Sequence, residues 1–304
     1  MPSVQTVNGP VDAESLGFTL MHEHLFINLL REYRGNGLLN DTELAVQEAN
    51  LFADRGGRTI VDCTNGDMGR DPLALKEVAR RTGLNVIMGT GIYRVPYLDP
   101  AYVDSHSADD IANDIIRDLV DGVGESEVRA GIIGEIGADK WYVSAHEERA
   151  FRAAARAHLQ TGVTVTTHAA RWPVGLPQLD ILQSEGVRPA RVIIGHADTV
   201  PSMEYHVQLA RRGAYVQFDN VRGDTEFDLV RGVRYVLNMK ENGFIERVLL
   251  SHDVCLRSHL HISGGPGYTL IHDTFIPRLL EAGISQSEIR LITEENTARA
   301  LTGH

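Results

Sequence analysis

Short, nearly continuous runs of apolar residues recur along the chain, each ending on a polar or glycine position and followed by a stretch with helical spacing. The runs are Phe18–His22, Arg58–Asp62, Asn85–Gly89, Ala130–Glu135, Val163–His168, Arg191–His196, Ala214–Asp219 and Arg247–Asp253. Segments rich in Val, Ile and Leu at successive positions suit strands covered on both faces, as in a parallel sheet. The punctuation between them is helical. Asp71-Pro72 with Gly83 supplies an N-cap, a first-turn proline and a C-terminal glycine. Ser144 with Glu147 reads as a capping box for a helix running to Gly162. Ser107 precedes Ile111, Ile115 and Leu119, an apolar stripe at i, i+4 that would pack on a sheet. Ser285 with Glu288 is a second capping box near the C-terminus.

Eight strands separated by helices predict the α/β class and a (β/α)8 TIM barrel. An open doubly wound sheet would need a glycine-rich phosphate loop after an early strand, and no G-x-G-x-x-G stands there. No Pro- or Ser-rich linker divides the chain, so residues 1–304 read as one barrel domain.

Composition narrows the partners. A net charge of -12 disfavours nucleic acid and anionic membrane, both of which reward clustered Lys and Arg. No apolar run approaches the roughly 20 residues that span a bilayer, and the first residues show no secretory pattern. Cys63 and Cys255 are too few for a disulfide scaffold and read as reduced thiols. A cytoplasmic enzyme acting on a small molecule is the expectation.

The chemistry collects at the strand ends. His22 and His24 close the first run, Glu135 the fourth, His168 the fifth, His196 the sixth and Asp253 the eighth. In a barrel the C-terminal strand ends converge on one face, so these residues become neighbours. Neutral imidazoles and carboxylates are ligands for a zinc-like divalent ion. His22 and His24 stand two apart in an extended segment and so point the same way. Of the other histidines, His146, His158, His206 and His272 fall in helical stretches, and His252 would face the barrel wall.

Gly17–His24, Gly89–Tyr93, Ile193–His196, Ser251–Cys255, Gly264–Tyr268 and Glu294–Thr297 together resemble the phosphotriesterase-like branch of the amidohydrolase superfamily. The resemblance covers nearly the whole chain and implies a binuclear site. It puts His22, His24 and Asp253 on the more buried metal and His168 and His196 on the more exposed one. Well-known members bridge the metals with a carboxylated lysine at the end of the fourth strand. This chain has Glu135 there, like the phosphotriesterase-homology subgroup, and Lys140 reads as an ordinary loop lysine. The implied reaction is hydrolysis by a bridging hydroxide, with Asp253 as the proton-accepting catalytic residue. Two divalent ions are implied, zinc first, with Mn, Co or Fe also suited to these ligands. Relatives commonly pair as homodimers, and a dimer is expected here.

Four residues are candidates for substrate binding. Tyr93 ends the third strand region, where lactonases of the family carry a similar aromatic; Arg222 follows the seventh, where members place an arginine. Trp172 follows His168, and Arg257 lies four residues beyond Asp253. Basic groups beside the metals would suit a carboxylate or phosphate. Phosphorylated-lactone hydrolases carry Arg and Tyr where this chain has Leu256 and His259, which weakens that substrate. Hydrolysis of a lactone or carboxylic ester is the leading expectation, with amide or phosphotriester hydrolysis second. A metal-binding barrel without turnover is a different class of protein, and Asp253 counts against it. A nucleic-acid hydrolase is disfavoured by the lack of a basic stripe.

Overall fold

The computed structural model describes residues 2–223 and 225–303. Its central sheet has eight parallel strands: β1 Thr19–Glu23, β2 Thr59–Asp62, β3 Asn85–Thr90, β4 Ile132–Gly137, β5 Val165–His168, β6 Val192–Gly195, β7 Tyr215–Phe218 and β8 Val248–Leu250. Each pairs with its sequence neighbour, from β8 through to β1. Helices follow in alternation: α1 Thr42–Ala53, α2 Pro72–Thr82, α3 Ala108–Val120, α4 Ala145–Thr161, α5 Gly175–Ser184, α6 Met203–Arg211 and α7 Glu226–Glu241. Shorter helical segments close the chain. This is the (β/α)8 barrel that the periodicity predicts.

The anticipated caps are formed. Asp71 accepts from the Ala74 N–H, and Gly83 ends α2 at φ +73°. Full capping boxes start α3 at Ser107 and α4 at Ser144, and another begins the helix Gln286–Arg290 at Ser285. Each fixes where a helix begins and so how long the preceding loop is.

Two apolar clusters hold the layers together. The larger fills the space between strands and helices. The smaller takes inward-facing strand residues, Met21, Val61, Cys63, Ile87, Ile132, Ile193, Tyr215 and Leu249, and packs the lumen. The hairpin Ser3–Thr6/Gly9–Asp12 and the helix Asn296–Thr302 add Val4, Ala300 and Leu301 to it. The barrel is therefore apolar at one end and polar at the other.

Between β1 and β8 the closure is made largely by one side chain. The backbone contributes Asp253 N–H to the His22 carbonyl at 3.2 Å. Glu23 contributes more. Its Oε1 accepts from Ser251 Oγ (2.8 Å), His252 N–H (2.8 Å) and His252 Nδ1 (2.9 Å), and its Oε2 from Val254 N–H (2.9 Å). His252 is fully buried, as its predicted orientation into the wall requires, and its Nε2 accepts from Ile271 N–H at 3.0 Å.

Candidate metal centre

Glu135 is the meeting point. It lies inside β4 rather than at its end, because that strand continues to Gly137. Gly134 makes the approach to β5 possible: its φ is +127°, and a Cβ there would lie 2.2 Å from the Thr166 carbonyl oxygen. Glu135 Oε2 stands 3.1 Å from His168 Nδ1, 3.2 Å from His196 Nε2 and 3.5 Å from His22 Nε2. Its Oε1 stands 3.5 Å from His24 Nε2. Asp253 Oδ1 completes the inner side, 3.3 Å from His24 Nε2 and 3.9 Å from His22 Nε2. Two ligand sets, His22/His24/Glu135 and Glu135/His168/His196, thus share one carboxylate, with each set's donor atoms within 4.8 Å of one another.

Backbone geometry aims two of these groups. His196 (φ +54°) and Asp253 (φ +53°) are left-handed non-glycine residues, one step past β6 and three past β8. Such conformations are costly and concentrate at functional sites. Strand alternation alone does not give their directions. Around β1 the pairing with β2 shifts between Leu20 and Glu23, and the two imidazoles there end with ring centroids 5.3 Å apart.

A second layer orients the rings. His196 Nδ1 faces Asp219 Oδ1 at 2.8 Å, which leaves Nε2 toward Glu135. The same carboxylate accepts the His196 N–H and the Gln217 amide and lies 3.4 Å from His22 Nδ1. The Thr64 hydroxyl donates to the Phe26 carbonyl and so can accept from His24 Nδ1 at 2.8 Å, freeing His24 Nε2. The Tyr93 hydroxyl lies 3.0 Å from His168 Nδ1, the atom that faces Glu135. Arg222 donates to the second oxygen of Asp253 at 3.1 Å and to its carbonyl at 3.0 Å.

The donor set fits divalent cations on electrostatic grounds. His22 is fully buried, and among the described residues its ring nitrogens make no hydrogen bond, with the Glu135 and Asp219 carboxylates at 3.5 and 3.4 Å. Burial favours its neutral form, yet the Glu135 and Asp219 carboxylates push its pKa up to about 9. His196 is likewise raised despite burial, chiefly by Asp219. Burial opposes ionisation of Glu135 and Asp253, but the surrounding imidazoles, with Arg222 beside Asp253, hold both carboxyls well below the usual range. His168 goes the other way, down to about 3, through burial and the neighbouring His196. The buried carboxylates of Glu135 and Asp219 and the partly buried Asp253 therefore call for positive charge. Two divalent cations would supply it with the imidazoles neutral.

Above the centre opens a cavity of about 280 Å³. His24, Glu135, His168, His196 and Asp253 line it, with Tyr33, Tyr93, Arg94, Arg171, Arg222 and His259 around them. His22 is not among the lining residues. Of the four substrate candidates, Tyr93 and Arg222 reach the cavity. Trp172 is 48% exposed and does not line it, and Arg257 borders a separate small recess with Asp41 and Tyr268. Sequence reasoning passed over Asp219, although it ends the seventh apolar run just as the ligand candidates end theirs. Arg94, Arg171 and Thr64 carried no signal beyond lying in loops after strands.

Histidine and carboxylate clusters at the strand ends of a barrel are the build of a metal-dependent enzyme. The family model described as the Phosphotriesterase family matches residues 2–301, and the chain belongs to that family. The phosphotriesterase homology protein of Escherichia coli (strain K12) is 35% identical over 290 residues, covering 93% of this chain and 97% of that protein. Its crystal structure, complexed with phosphate in the active site, superposes with a TM-score of 0.90, covering 94% of this chain and 98% of that one. An aryldialkylphosphatase of Saccharolobus solfataricus is 32% identical over 302 residues, 94% of this chain and 95% of that enzyme. The structure of a lactonase from Listeria monocytogenes matches at a TM-score of 0.91 and 26% identity, covering 99% of both chains. Family members are binuclear metal hydrolases, and this chain is an enzyme of that kind.

Proposed function

We propose that the protein hydrolyses a lactone or carboxylic ester at a centre of two divalent ions, zinc by preference. His22, His24 and Asp253 would hold the inner ion, His168 and His196 the outer one, and Glu135 would bridge them. The observation that carries the reading is Glu135, whose carboxylate meets both histidine sets beside a cavity, Oε2 facing His168, His196 and His22 and Oε1 facing His24. Bound there, such ions supply an acidified water and polarise the scissile carbonyl.

The chain's own groups do the rest. Asp253 stays ionised, and Arg222 holds one of its oxygens, so Oδ1 is kept toward the centre as proton acceptor. The proton it takes goes on to the leaving alkoxide. Burial pushes the Tyr93 phenol well above its ordinary pKa, so it remains a donor beside His168 and can orient the carbonyl oxygen. The likeness to a solved lactonase supports the substrate class. Phosphotriester hydrolysis is the second reading, favoured by the aryldialkylphosphatase relative.

Plasma metal analysis followed by a panel of lactones, aryl esters, N-acyl amines and paraoxon tests the proposal. The expected result is two metals per chain, with lactones or esters turned over fastest. Faster turnover of paraoxon or an N-acyl amine would overturn the substrate assignment.

A further inference from the structure

We infer that the cavity wall carries an oxyanion subsite centred on Arg171, so that the preferred ester or lactone bears a carboxylate away from its scissile bond. The inference rests on the hydrolase reading above. Three guanidinium groups line the cavity, those of Arg94, Arg171 and Arg222. Two of them are neutralised at close range. Arg94 is buried, 2.7 Å from Glu32 and 3.2 Å from Asp139, and donates to the Val95 carbonyl at 2.9 Å. Arg222 is held by Asp253, as described.

Arg171 is different. Its side chain is 62% exposed, and the carboxylate it pairs with, Asp139, stands 3.8 Å away and is closer to Arg94. That long contact leaves its planar fork of donors open to an incoming carboxylate, which it matches in geometry. The backbone supplies an independent observation. Arg171 sits at φ +71°, a left-handed conformation unusual for a long side chain. Its N–H is tied to Thr199 Oγ1 at 2.7 Å, and that hydroxyl donates to the His196 carbonyl at 2.7 Å. The loop after β5 is thereby fastened to one of the outer histidines, with the arginine at the cavity.

The test compares two esters with the same leaving group, 4-nitrophenyl butyrate and mono-4-nitrophenyl glutarate, on the metal-loaded enzyme. Arg171→Asn is the variant, since asparagine tolerates left-handed backbone. The glutarate ester should show kcat/KM about tenfold higher or more, the scale of a charge-assisted hydrogen bond. Arg171→Asn should remove that preference through KM and leave the butyrate ester within about twofold. Calorimetric binding of glutarate itself should weaken in the variant to the same degree. Equal kcat/KM for the two esters, or equal losses for both in Arg171→Asn, would overturn the subsite while leaving the hydrolase intact. Hydrolysis of neither ester, with glutarate binding still dependent on Arg171, would instead sink the ester reading and keep the subsite.

Discussion

Glu23 and Glu135 are both buried carboxylates at the polar end of one barrel, and they face opposite surroundings. Glu23 is met by donors: a hydroxyl, two backbone N–H groups and an imidazole N–H. Glu135 is met by four imidazoles, three of them with distances of 3.1 to 3.5 Å to a single oxygen, beside a second carboxylate, Asp253. The first glutamate is satisfied by the fold alone. The second is surrounded by groups that, when neutral, offer lone pairs, and it needs cations to complete it. Burial and residue type do not separate a staple from a ligand. The polarity of the neighbours does.

The contrast can be broken from either side. The largest effect should come from Asp253→Asn, which keeps the shape of the centre but removes the proton acceptor. Turnover should fall about 10²- to 10⁴-fold with both metals retained, as read by steady-state kinetics beside metal analysis; near-normal kcat would remove Asp253 from its role. Glu23→Leu should act on stability instead. Leaving the donors of Ser251, His252 and Val254 buried and unpaired should cost about 3–5 kcal/mol, with or without metal. Urea unfolding of loaded and stripped protein checks this, and a loss confined to the loaded form would make Glu23 part of the metal site.

Histidines sharpen the same contrast. His206 is fully buried like His22, but its Nε2 faces the Ala197 and Val200 carbonyls at 2.8 and 3.1 Å. Burial holds its pKa down to about 4, against those carbonyls, which favour the charged form. The unfolded chain takes up this proton near pH 6.5 and the folded one only near 4. The stability His206 allows is therefore complete above about pH 6.5 and lost as pH falls toward 4, by about 3 kcal/mol in all. A pH series of urea midpoints on wild type and His206→Gln reads it, and identical slopes in that window would refute it. The smallest effect belongs to Asp219→Asn. Weaker orientation of His196 should lower metal affinity about 10- to 100-fold, measurable by competition with a chelator, while unchanged affinity would leave Asp219 a purely structural group.

What was legible in the sequence followed from local rules. Strand positions came from apolar runs, helix starts from caps, and the convergence of His22, His24, Glu135, His168, His196 and Asp253 from barrel order. What escaped depended on pairs that no local rule links. Glu23 meets partners 228 to 231 positions away, and nothing near it in sequence marks it as a staple. Asp219 has its meaning only beside His196. Trp172 and Arg257 were singled out by proximity in sequence to ligand candidates, but a loop can turn a side chain away within a few residues, and both lie off the cavity.

The seam between first and last strands also sets an order of assembly. His22 and His24 leave the ribosome before Asp253, and Glu23 before its partners 228 to 231 positions further on. A nascent chain holding the first four strands already carries three of the six centre residues, yet none of its proton-accepting chemistry. Such closure over long sequence separation is slow to form, and the centre is incomplete until β8 meets β1.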